Sequence, residues 1–456
     1  MPASTRLVLQ LRSQLRGSVW EPDSPQFNAL RRVWNAAIDQ RPCAIVRCAD
    51  AQDVQVALTA ARDYGVRVTV RGGGHNVAGL SVREGALLLD LGEMRGVSID
   101  PGARIARIEG GALWRDVDVA TAVHGLATTG GVISSTGVGG FTLGGGAGWL
   151  MRRFGLACDN LCGAQLVLAD GRSLDVSVDQ HPELFWGLRG GAGGLGVVTR
   201  FDLSLRPVSQ VLAGLVVFAA EHSVAVLRRL RDLAPEAPDE FCAVAVLASA
   251  PPLPFLDAQW HGRTVCVLAL CWSGDLEPGE QALAPLRHAA PVLADMVAPR
   301  PYAQWQQMLD PSAPAGRWQY WKSSNFKVVG DATIERLVAA ALARPSPLTE
   351  LHLQHLGGAV ARQPAADTAF AHRDTQFFVN LIGTAADVRE LNAVRTWVRA
   401  LHEELSEQAQ PGRMPNFSDG DDQAAIERFG PDNARRLQAL HERYDPQGLF
   451  ANPALI

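Results

Sequence analysis

VRGGGHNVAGLSV, residues 70–82, decides how the rest of the chain is read. β-branched residues up to Val70 describe a strand, and three glycines then lead to a single histidine, His75. Glycine after a strand lets the backbone come close to a ligand and aim several N–H groups at an anion. Two more such clusters follow, GVGGFTLGGGAGW (137–149) and RGGAGGLGVV (189–198). Three of them within the first 200 residues predict a long ligand with a diphosphate at its middle. Gly191, Gly193 and Gly196 satisfy G-x-G-x-x-G, yet that dinucleotide fingerprint must open a helix, and here a strand, VVTRFDL, follows. No cluster ends in the G-K-S/T of a Walker loop. From the residues alone His75 has two readings: a loop histidine bonded to backbone, or a base with a pKa near neutrality.

Outward from this stretch, residues 43–108 read as alternating strand and helix. CAIVRCA is a strand, DAQDVQVALTAARDYG a capped amphipathic helix ending at Gly65, and VRVTVRGGG a strand. GALLLDLGEM and RIARIEGGA are strands, and WRDVDVATAVHG is a helix. After Pro207 the texture changes to long Ala/Leu/Arg helices alternating with β-type runs such as TVCVLALCW, TELHLQHLGGAV and QFFVNLIG. The expected division is 1–206, 207–408 and a C-terminal segment 409–456. At 456 residues the chain exceeds one ordinary core, since domains run to roughly 100–200 residues. A net charge of −5 gives no basic footprint for nucleic acid. No apolar run approaches a membrane span or a signal peptide. The seven cysteines are scattered, and Cys158 and Cys162 have no second pair to complete a zinc site. No metal is expected, the thiols are expected to be reduced, and a cytoplasmic setting follows. The sequence leaves the oligomeric state open.

VRGGGHNVAG, GLATTGGVISSTGVGGFTLGGGAGWLMRRFGLACDNL, HPELFWGLRGGAGGLGVVT and RYDPQGLFANP together resemble the berberine-bridge-enzyme-like FAD-linked oxidases of the vanillyl-alcohol-oxidase superfamily. The resemblance implies an α+β fold: a two-part FAD-binding domain (PCMH type) and a substrate domain with a large antiparallel sheet flanked by helices. It implies FAD bonded covalently to His75, whose neutral imidazole is nucleophilic near pH 7. It further implies cofactor contacts from Arg71, Gly72, Gly73, Gly74, Asn76 and Gly79 in the first cluster. In the second they come from Thr136, Gly137, Gly139, Gly140, Thr142, Gly145, Gly146, Gly148 and Trp149, followed by Asp159 and Asn160. Gly193, Gly196, Val197 and Val198 complete the set, with Asn416 near the C-terminus.

The chain departs from that pattern in two places. Relatives with a second, cysteinyl anchor carry it where Ile133 stands, so a single bond is expected. The family's Tyr-x-Asn reads Met414-Pro415-Asn416, which removes a tyrosine that relatives use to deprotonate an alcohol. By resemblance Thr136 sits over the flavin ring and influences the approach of O2. It also implies that the second domain's sheet covers the flavin. Strand alternation sorts Leu351, Leu353, Val379 and Leu381 onto one face, and His352, Gln354, Phe378 and Asn380 onto the other. The polar face is assigned to the substrate, with His352 as the candidate base. Trp318, Tyr320 and Trp321 in RWQYWKSSNF are read first as core and second as ligand contacts. The expected reaction is hydride transfer from a small organic molecule of specialised metabolism to the flavin, followed by reoxidation with O2. A flavin oxygenase, a sugar, alcohol or amine oxidase, and a flavin-binding protein with little turnover are the alternatives.

Overall fold

The computed structural model describes residues 3–417, 419 and 425–451. Its first sheet holds β1 (Ser18–Trp20), β2 (Ala44–Arg47), β3 (Val68–Arg71) and β4 (Leu87–Asp90) in the order β1-β2-β4-β3. Strands β2 and β3 both run parallel to β4, because the helix Ala51–Asp63 carries the chain back between them. Local chemistry starts and stops that helix. The Asp50 side chain accepts the Asp53 N–H, Val54, Ala57, Leu58 and Ala61 recur on one buried face, and Gly65 turns out at φ +66°.

The second sheet contains β5 (Val97–Asp100), β6 (Ile105–Glu109), β8 (Leu161–Val167), β9 (Ser173–Ser177) and β10 (Val197–Ser204) in the order β5-β6-β10-β8-β9. All of its pairings are antiparallel. A two-residue pairing of β7 (Leu126–Ala127) with β11 (Arg206–Pro207) lies beside it. The third glycine cluster runs into β10, as the sequence indicated.

The third sheet is the largest. It comprises β12 (Gln210–Ala219), β13 (Phe241–Ser249), β14 (Thr264–Trp272), β15 (Val292–Asp295), β16 (Ala298–Pro301), β17 (Trp318–Phe326), β18 (Glu350–His355) and β19 (Phe377–Ala385). The order is β15-β12-β14-β13-β18-β19-β17, with β16 beside β12, and every pairing is antiparallel. One face packs Leu351, Leu353, Val379 and Leu381 against Leu227, Leu283, Ile334 and Val394 of four covering helices. The other face puts Val244 and Phe378 in a core with Trp149, Leu150 and Met151, next to the second glycine cluster. The whole is α+β, with the alternation along β18 and β19 falling as expected.

The C-terminal segment returns to the first sheet. Ala451 N–H donates to the Val68 carbonyl and Val68 N–H to the Leu449 carbonyl, so the chain end extends the edge of β3. The helix Ala425–Tyr444 is broken at Gly430 (φ 72°, ψ 163°), directly before Pro431. Proline disfavours a helical residue before it, so the break falls there. All seven cysteines are unpaired, and five are buried. Among the described residues no helix is long and apolar enough to cross a membrane.

Candidate active site

The three glycine clusters converge on one cavity of about 310 Å³. Gly72, Gly73, Gly74, His75 and Asn76 form one side, and Thr136, Gly137, Gly139 and Gly140 a second. Gly193, Gly196, Val197 and Val198 form a third, and Asn416 and Phe417 close the end. Two of these glycines differ in what surrounds them. A Cβ on Gly73 would lie 2.4 Å from the Gly137 nitrogen, so the first two loops touch backbone to backbone. A Cβ on Gly140 would meet no atom within 4 Å and would project into open space at the wall of the cavity.

His75 is aligned from two sides. Its ring stacks on Trp34 with centroids 4.9 Å apart and planes 21° apart, and its Nε2 lies 2.8 Å from Ser135 Oγ. Burial pushes the imidazole pKa down to about 4, against a smaller opposing pull from Asp310. The ring is therefore neutral at physiological pH. Asp310 also fixes the neighbouring loop, accepting from Ser134 N–H at 2.7 Å and from Ser134 Oγ–H at 2.5 Å. Trp34 is held in turn by an indole N–H bond to the Ala313 carbonyl at 3.1 Å. Trp34, Ser135 and Asp310 carry no local signal, since their partners stand dozens to hundreds of residues away. Ile133, at the place of the second anchor, lines the same cavity.

Several residues named from the motifs do not line the cavity but brace its walls. Arg71 forms a buried pair with Asp90 at 2.8 Å and donates to the Leu30 and Arg32 carbonyls. Asp159 accepts both guanidinium arms of Arg373 at 2.8 Å, and Asn160 donates to the Phe154 and Leu156 carbonyls. Trp149 packs on Trp305, and Thr142 is fully buried. A Cβ on Gly148 would collide with the Gly130 carbonyl, and one on Gly79 with Ile38. One on Gly145 or Gly146 would meet Phe370 or Phe141. In the folded chain these side chains and Cβ positions meet protein atoms of neighbouring segments. His372 likewise bonds the Arg428 carbonyl, consistent with a structural role. Asn416 does both jobs. Its Oδ1 accepts Gly146 N–H at 2.9 Å and its Nδ2 donates to the Phe141 carbonyl at 3.1 Å, so the C-terminal segment clamps the second glycine loop at the cavity wall.

Residues 42–177 match the family model described as an FAD binding domain. An FAD-linked oxidoreductase of Dictyostelium discoideum is 28% identical over 456 residues, covering 98% of this chain and 96% of that protein. The (R)-6-hydroxynicotine oxidase of Paenarthrobacter nicotinovorans is 35% identical over 303 residues, 66% of this chain and 64% of that one. The crystal structure of 6-hydroxy-D-nicotine oxidase from Arthrobacter nicotinovorans superposes with a TM-score of 0.86 at 26% identity, covering 96% of this chain and 97% of that one. This chain is an FAD-linked oxidoreductase, similar to the oxidases named above.

The cavity of this oxidoreductase fits that cofactor. Glycines of all three clusters form part of its lining, and one neutral imidazole stands at its wall. Of the sheet residues assigned to the substrate, none of His352, Gln354, Phe378 and Asn380 lines this cavity. His352 Nε2 lies 2.9 Å from Glu350 Oε2, both partly exposed. Register places His352 opposite Asn380, and Gln354 opposite Phe378. RWQYWKSSNF forms β17, and alternation divides its aromatic residues. Trp318 and Tyr320 pack into the helix-side core, whereas Trp321 lines the cavity.

Proposed function

We propose that this oxidoreductase is an oxidase whose FAD is bonded through His75. It takes hydride from a small organic substrate of specialised metabolism and is reoxidised by O2. The observation that carries the reading is the neutral, doubly aligned His75 at the point where three glycine clusters meet. FAD, when bound, supplies the hydride acceptor and the route for electrons to O2. The chain supplies the rest. Ser135 engages Nε2 of His75, which leaves Nδ1 for the bond to the cofactor. Ile133 in place of a thiol supports a single attachment. The glycine loops and Asn416 hold the cofactor's length, and Thr136 stands on the cavity wall where O2 must pass.

On the substrate side His352 is the proton acceptor. Glu350 accepts its Nε2–H, which fixes the tautomer and leaves Nδ1 with a free lone pair. Asn380 and Gln354 flank it as uncharged contacts. We divide the chain at 1–206, 207–408 and 409–456, a reading supported by the start of the large sheet at Gln210 and by the C-terminal return to β3. Seven unpaired cysteines support a cytoplasmic setting. The Thr136 hydroxyl supports one second reading, an oxygenase that hydrogen-bonds a reduced-oxygen species.

Anaerobic stopped-flow reduction across a metabolite panel tests the proposal. With the substrate so found, His352→Gln should slow reduction by about 10²–10⁴-fold, the range for loss of a general base, while ligand affinity holds. An unchanged reduction rate removes His352 from the role.

A further inference from the structure

The face of the large sheet that carries Trp321 can be laid out by register. Trp321, Ile382 and Glu350 form one row, Ser323, Asn380 and His352 the next, and Asn325, Phe378 and Gln354 the third. Five polar atoms of this grid belong to three of its residues: Ser323 Oγ and both amide atoms of Asn325 and of Asn380. All three residues are fully buried, and none of the five atoms has a hydrogen-bond partner among the described residues. Folded proteins leave few buried polar groups unpaired, and a cluster of them calls for a partner that the fold itself does not supply.

The surroundings indicate what that partner is. Phe417, on the C-terminal segment, stands against Phe378 at 5.1 Å and nearly parallel to Trp321 at 6.4 Å, planes 17° apart. Those two residues belong to the rows on either side of Ser323–Asn380, so an aromatic ring already stands beside the patch. The grid holds one carboxylate, Glu350, which is paired with His352, and no lysine or arginine. Amide and hydroxyl dipoles can donate to or accept from a neutral group, but they do not neutralise a buried charge.

We infer that this patch selects the substrate. It takes an uncharged planar ring bearing a hydroxyl or amide, with the ring among Trp321, Phe378 and Phe417 and the polar group on Asn380, Ser323 and Asn325. Asn380 is the specificity-determining residue. This rests on the assignment of the sheet face to the substrate.

The test uses the full-length flavin-loaded protein, titrated under argon and followed by the flavin absorbance band and by melting temperature. The probes are 4-hydroxybenzamide, benzoate, benzylamine and toluene. The neutral amide should bind at least tenfold tighter than benzoate or benzylamine. Asn380→Leu should lose at least tenfold of that affinity, keep toluene binding, and melt no lower than the parent. Ser323→Ala, a smaller change, should lose severalfold and serves if Asn380→Leu does not fold. Tighter binding of either charged probe, or retained amide affinity in both variants, overturns the inference. So does a melting temperature that falls sharply in Asn380→Leu with binding intact. If the protein purifies without flavin, the oxidoreductase reading fails. If flavin is present and bleaches with a substrate while every probe is silent, only the present inference fails.

Discussion

Asp118 is the place where the fold makes the sharpest energetic statement. It lies on the helix Trp114–Ala122, 5% exposed, with Gln306 Nε2 at 3.5 Å as its side-chain donor. Burial raises its carboxyl to about 8, with a smaller push from Asp310 against the pull of Gln306. The folded state thus holds a proton that the unfolded chain releases near pH 4. Stability from this group is fully present below the unfolded pKa and is lost as pH rises through the folded one. Between those limits the slope is about 1.4 kcal/mol per pH unit. The whole span from 3.8 to about 8 corresponds to a ceiling of about 6 kcal/mol at about 1.4 kcal/mol per unit. Asp118→Asn keeps the shape and an acceptor for Gln306 while removing the ionisation. Urea unfolding from pH 4.5 to 8.5 should show the variant close to the parent at the acid end and more stable by several kcal/mol at the alkaline end. Because Gln306 also bonds the Gly131 carbonyl, the same substitution should leave the 130–136 loop in place. A difference between the two proteins that is flat with pH, or a variant weaker at pH 8, refutes the reasoning.

Thr136→Leu adds bulk at the cavity wall and should slow reoxidation by O2 more than anaerobic reduction, each tenfold being about 1.4 kcal/mol on that step. Thr136→Val keeps the shape and removes the hydroxyl; loss of product with reoxidation intact points to the oxygenase reading. Arg373→Met leaves Asp159 buried without its cation, both side chains being 5% exposed, and should lower stability by about 3–5 kcal/mol in chemical denaturation. A loss under 1 kcal/mol would show that the pair is dispensable.

What was legible in the sequence was local. The glycine clusters announce themselves because close backbone approach requires them, and the strand after Gly196 ruled out a dinucleotide turn on context. Two-residue alternation placed His352, Gln354, Phe378 and Asn380 together correctly, since side chains on one strand have no choice of face. What was not legible depends on partners far along the chain. Ser135 and Trp34 meet His75 only once the loops are folded, and Phe417 reaches Phe378 and Trp321 through the C-terminal return. Motif membership says little about single side chains. Arg71, Asp159 and Asn160 sit inside the cofactor-binding stretches, yet their polar atoms are engaged by Asp90, Arg373 and backbone carbonyls. A motif marks a loop as needed without saying which of its side chains face inward.

The central claim is that His75 makes the single covalent bond to the cofactor. The direct measurement is acid precipitation of the purified protein, followed by mass spectrometry of its flavin-bearing peptide, for the parent and for His75→Ala. The account predicts a yellow pellet, one flavin on the peptide containing residue 75, and a colourless pellet from the variant. Flavin released entirely into the supernatant of the parent, or found on a peptide bearing any cysteine, contradicts it.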